Sequence, residues 1–143
     1  MKKMKKWIAL TSLFTIACPS WSQDNTTAFK GKIFNEDYKV WIEMNFIEKN
    51  ILVPQQEIFG EVPGYIGSEK DSRKWMIVES EVQDKTATLS IINDYGSEDL
   101  QATLTATTDS TYTLTQKEGS TIKFAVNRKW QKLPKQLIFK KKK

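Results

Sequence analysis

From residue 29 onward, apolar residues recur at every second position. Val40, Ile42, Met44 and Phe46 alternate with Trp41, Glu43, Asn45 and Ile47, the pattern of a strand with one face in a core. Ala87, Leu89 and Ile91 alternate with Thr88, Ser90 and Ile92, and Leu100, Ala102, Leu104 and Ala106 with Gln101, Thr103 and Thr105. Tyr112 and Leu114 sit among threonines, and Ile122, Phe124 and Val126 repeat the alternation. Weaker strand segments cover residues 29–34, 51–53, 58–62, 75–82 and 136–140. Helical spacing is nowhere sustained, so the pattern predicts an all-β chain.

Compact polar turns separate these runs: Asn35-Glu36-Asp37, Glu48-Lys49-Asn50, Gln83-Asp84-Lys85, Asp94-Tyr95-Gly96-Ser97 and Thr108-Asp109-Ser110. Connections this short join antiparallel neighbours, because a parallel crossover needs about a dozen residues. Lys117-Glu118-Gly119 reads as a further hairpin, with Gly119 in the left-handed position of a bulged turn. An antiparallel meander of about eight to ten short strands with one apolar face should close into a small barrel; a two-sheet β-sandwich is the alternative. Closure is preferred because it removes the sheet's sticky edges. In layout the chain resembles small exported β-barrels of the calycin kind, a likeness of architecture that transfers no site residues. Residues 54–72 break the rhythm with Gly60, Gly64, Gly67 and Pro63, and read as a bent strand and long connection or as a flap over the barrel mouth.

The N-terminus has a different pattern. Four lysines precede an apolar stretch from Trp7 to Ala17, too short for a stable membrane span, and Ser20 and Ser22 supply the small residues of a cleavage site before Gln23. Residues 1–22 therefore read as a secretory signal and 23–143 as a single β-barrel domain, with a bacterial periplasm or cell surface as the destination. Thr15-Ile16-Ala17-Cys18 offers another route, a loose lipobox that would anchor the chain through an acylated Cys18.

Composition narrows the chemistry. The 143 residues contain no His and one Cys, which removes imidazole-based triads and His-ligated zinc. Lys and Arg number 22 against 17 Asp and Glu. Without residues 1–22 the balance is 18 basic to 17 acidic, and the charges are unevenly spread. Residues 23–127 carry a net charge of −7, whereas 128–143 hold eight positive charges and no acid. Arg128, Lys129, Trp130, Lys132, Lys135 and Lys140 thus form a candidate basic C-terminal tail, either solvated or held against an anionic membrane surface. Nucleic acid is not expected as a partner of an exported, otherwise acidic domain.

Catalytic and metal signals are thin. Glu79 and Glu81 would share a strand face about 6–7 Å apart, a usable spacing for two-carboxylate hydrolysis, although exposed strands often carry acids. Asp94, Glu98 and Asp99 lack the spacing of a calcium loop. The glycines of 60–67 lack the Lys-Ser/Thr ending of a phosphate loop. Ser120 and Lys123 copy a Ser-x-x-Lys string, but on a strand they point to opposite faces. No cofactor, metal or catalytic residue is assigned.

What remains is binding. Phe59, Tyr65, Trp75 and Phe124 are candidates to line a cavity for a small apolar ligand. Trp41 and Ile47 fall opposite the apolar face of their strand, so either both faces are covered or the two belong to a partner surface. The expectation is a non-enzymatic envelope protein that binds a small apolar ligand or a protein, with an inhibitor of a lytic enzyme or toxin as one form of the second. An open cavity would mark the carrier, and a filled core with a protruding aromatic loop the inhibitor.

Overall fold

The computed structural model describes residues 28–142; the expected signal segment, its cleavage site and Cys18 lie outside the described residues. Twelve strands follow in chain order: β1 (Lys30–Asn35), β2 (Val40–Asn45), β3 (Ile51–Leu52), β4 (Glu61–Val62), β5 (Gly64–Ser68), β6 (Trp75–Gln83), β7 (Thr86–Asn93), β8 (Asp99–Ala106), β9 (Thr111–Gly119), β10 (Lys123–Val126), β11 (Lys129–Lys132) and β12 (Gln136–Lys141). Eight of them close an antiparallel barrel in the order β1-β2-β5-β6-β7-β8-β9-β12, and β12 returns to β1. The chain is an up-and-down meander interrupted twice, by the ribbon β3–β4 and by the ribbon β10–β11.

Eight strands enclose a space about wide enough for side chains to fill, and here they fill it. Ile33, Ile42, Ile66, Ile77, Leu89, Ile91, Leu104 and Phe139 are wholly buried on the inner face. Large and small residues face each other across β7 and β8, with Ala87 opposite Leu104 and Leu89 opposite Ala102. This pairing lets the inner layer interdigitate. At the lower end Phe29 stacks on Phe46 at 5.6 Å and meets Tyr112 edge-on at 6.0 Å. At the upper end Ile122, Phe124 and Leu133 come in from the β10–β11 excursion and join the same core.

The first excursion lies against the outside of the wall. Val53 and Val62 pack on the outward faces of Tyr65 and Met76, with Trp41, Val78 and Ile92 alongside, as a second, smaller apolar cluster. Both faces of β5 are therefore covered, and all five of its residues are buried. Residues 64–68 are a barrel strand rather than a flap, and their glycines explain why alternation does not mark it. A Cβ at Gly64 would come within 2.4 Å of the Glu43 carbonyl, and one at Gly67 within 2.6 Å of the Trp41 ring.

The C-terminal segment also differs from the expected tail. Asn127 (φ 54°) and Arg128 (φ 67°) form the two-residue turn between β10 and β11, the left-handed pair that a tight hairpin requires. β12 then closes the barrel, with Leu137 and Phe139 buried in the core. The turn expected at Lys117-Glu118-Gly119 is absent, because β9 continues through it. Gly119 (φ 107°) pairs with Leu100 beside a register shift, so its left-handed conformation serves a bulge within the sheet.

Candidate functional site

Three of the connections at the upper end of the barrel are residues 69–74, 94–98 and the β10–β11 ribbon. Buried polar groups lock them together. Asp71, with a side chain only 7% exposed, accepts the backbone N–H of Ala125 at 2.7 Å and that of Arg73 at 3.1 Å, and pairs with the Arg73 guanidinium at 3.1 Å. Burial alone would raise the Asp71 carboxyl, but the hydrogen bonds from Ala125 and Arg73 outweigh it and hold the group below its ordinary value. Trp75 Nε1 donates to the Lys123 carbonyl at 3.0 Å, and Lys123 Nζ reaches Glu98 at 3.3 Å. Asn93 shapes the neighbouring turn by accepting the N–H groups of Ser97 and Glu98 at 2.9 and 3.2 Å.

On this base sits an exposed aromatic and cationic cluster. Trp130, 56% exposed, receives the Arg73 guanidinium at 5.1 Å and the Lys123 ammonium at 5.2 Å from its ring centre. Tyr95 projects from the tip of its turn, 78% exposed, with its phenol near Arg73. The Asp71 hydrogen bond, and after it Tyr95, raise the Arg73 guanidinium above its ordinary value. A cleft of about 170 Å³ opens between Arg73, Tyr95, Glu98, Lys123 and Trp130, with buried Trp75 beneath. Both cations already have carboxylate partners, so the cleft is not a simple anion hole. It offers two aromatic faces and a pre-positioned guanidinium, the side chains that dominate protein-recognition hot spots.

The four residues expected to line one ligand cavity do not meet. Trp75 and Phe124 belong to the main core, 3% and 2% exposed. Tyr65 lies on the opposite face of the wall, in the outer cluster. Phe59 is half-exposed on the β3–β4 excursion, beside Ile58, which is almost fully exposed. The physical reason is strand parity: Ile66 pairs with Trp75 on the inner face and Tyr65 with Met76 on the outer.

The two expected partner residues also separate. Trp41 is half-buried, packed over Gly67 and against the outer cluster, so the outer face of its strand is only partly covered. Its indole Nε1 is buried near enough to the Tyr65 oxygen to favour ionisation, but is not hydrogen-bonded to it. Burial nonetheless keeps the Tyr65 phenol above its ordinary value, helped by Glu43, whose carboxylate accepts its proton at 3.1 Å. Ile47 is exposed in the turn that follows β2.

The basic set divides between the two ends. Arg128, Lys129, Trp130 and Lys132 lie on the upper hairpin and Lys135 just beyond it, whereas Lys140 stands near the far end of β12. Glu79 and Glu81 are exposed on the open outer wall of β6 rather than in a cleft.

Sequence reasoning missed Asp71, Arg73, Tyr95 and the pairing of Lys123 with Glu98. One signal was present: an aromatic at the tip of Asp94-Tyr95-Gly96-Ser97 has no role in a hairpin and must face outward. Compared with known protein families, with curated proteins and with solved structures, the chain matches none.

Proposed function

We propose that the protein is an exported, non-enzymatic binding module of the bacterial envelope that engages a protein partner through its upper rim. The observation that carries this reading is a filled barrel topped by exposed Tyr95 and Trp130 around Arg73. With core side chains occupying the interior, an apolar ligand would have to displace them, and the cost of disrupting a close-packed core weighs against a carrier. The N-terminal sequence supports export, and the lack of His together with the open setting of Glu79 and Glu81 supports a binding role over catalysis.

Energetics favour a protein over a small molecule at the rim. The cleft is small and shallow, yet the Arg73 side chain is fixed by Asp71 and Trp130 before any partner arrives, so little rotamer entropy remains to be lost. A partner with its own cleft, such as a lytic enzyme held in check, would accept the projecting Tyr95 turn. A photo-crosslinking residue placed at position 95 or 130 in the living envelope should trap one protein, and the same residue at Thr88 on the far wall should trap none. In the purified complex, Trp130→Ala should weaken affinity about 30-fold or more. Equal trapping from all three positions would defeat the proposal.

A further inference from the structure

The barrel strands divide their charges across its diameter. β1 and β12, the two strands that close the barrel, contain Lys30, Lys32, Lys140 and Lys141 with no acid, and Lys142 follows directly. On the opposite side β6, β7 and β8 contain Glu79, Glu81 and Asp99 with no Lys or Arg. The closing pair is also where apolar side chains reach the outer surface. Phe34 pairs with Trp41 on one side and Lys140 on the other, so these three form one outward row. Ile138, 53% exposed, lies one step along β12.

The lysines and the rings are arranged together. Lys32 Nζ lies 4.9 Å from the Trp41 ring centre and 5.6 Å from that of Phe34, and Lys142 Nζ lies 4.8 Å from Phe34. The lysine stems cross apolar surface while their heads remain at the solvent, which is how such side chains sit at a boundary between oil and water. Local acids offset this only in part: Glu48 is 3.7 Å from Lys30, Glu43 is engaged by Tyr65, and of Glu36 and Asp37, which share a groove with Phe34, Ile138 and Lys140 to Lys142, Glu36 is paired with Lys39 at 3.8 Å.

We propose that this face, formed where β1 meets β12, is a docking surface for an anionic lipid bilayer. A cluster of this many lysines carries the attraction to acidic headgroups, and Phe34 and Ile138 reach the interfacial layer between them. A second copy of the chain fits less well. Its acidic wall would answer the lysines, but the exposed large apolar residues lie elsewhere than on β6–β8 and would leave Ile138 without a counterpart. The surface is distinct from the upper hairpin, so Lys129 and Lys132 are spectators.

The test uses the chain from Gln23 to Lys143, which contains the whole closed barrel and its core. It is titrated with vesicles of phosphatidylcholine alone and of phosphatidylcholine with an equal part of phosphatidylglycerol. Binding is expected only to the second, falling as salt is raised. The triple variant Lys32→Gln, Lys140→Gln, Lys142→Gln should lose affinity on the order of 100-fold. Ile138→Ser should weaken binding without any change of charge, while Lys129→Gln with Lys132→Gln should leave it unchanged. Four results would each overturn the proposal: no preference for the anionic vesicles, an equal loss from the hairpin pair, an unaltered Ile138→Ser, or self-association without vesicles that the triple variant abolishes. None of these bears on the rim, whose partner is tested separately.

Discussion

At the residue scale, Gln116 shows how an inward polar group can serve a barrel. It stands on the core face of β9, 5% exposed, where an apolar residue would be expected. Its amide accepts the Ile122 N–H at 2.8 Å and donates to the Leu133 and Pro134 carbonyls at 3.4 and 3.0 Å, tying the start and end of the β10–β11 excursion to the barrel. Gln116→Leu keeps the volume but strands these backbone groups, so urea denaturation should show a loss of about 2–3 kcal/mol. Asp71 performs the same service for Ala125 with a charge. Because its folded pKa lies below the ordinary 3.8, its contribution is fully present above that value and is lost as pH falls through the depressed folded value. Acid titration followed by tryptophan fluorescence should therefore show the β10–β11 ribbon loosening below that pH, and Asp71→Asn should remove the step.

At the element scale, what was legible in the sequence depended on whether a strand has one wet face. β2, β7, β8 and β9 alternate cleanly because one side meets the core, and their turns carry their own chemistry: Asn35, Asn45 and Asn93 each hold the following turn by side-chain hydrogen bonds. β5 and β11 were hidden for opposite reasons. Every residue of β5 is buried and every residue of β11 is exposed, and neither situation produces alternation. The rim shared that fate, since Asp71, Arg73, Tyr95 and Trp130 come from three separate connections and no local pattern unites them. Glycine placement was half legible. Gly119 takes the left-handed conformation its sequence context implies, but in a bulge rather than a hairpin. A Cβ there would lie 2.4 Å from the Asp99 carbonyl, whereas Gly96, also left-handed at φ 74°, has open space around it. Thermal melts should show Gly119→Ala costing about 2–4 kcal/mol and Gly96→Ala about 1 kcal/mol.

At the scale of the whole molecule, closure decides what the protein can do. The meander returns β12 to β1 through the pairs Ile33–Lys141 and Phe34–Lys140, which closes the barrel, and large side chains occupy its interior. On the proposed reading, recognition takes place on the outside: at a rim where residues 69–74 and 94–98 meet the β10–β11 ribbon, and at a lysine-rich wall where β1 and β12 join. Native mass spectrometry of the protein isolated from its source cells tests this most directly. The account predicts a second protein retained by the wild-type chain, lost in Trp130→Ala, and no small molecule. A low-mass apolar ligand that travels with the barrel, regardless of Trp130, would contradict it.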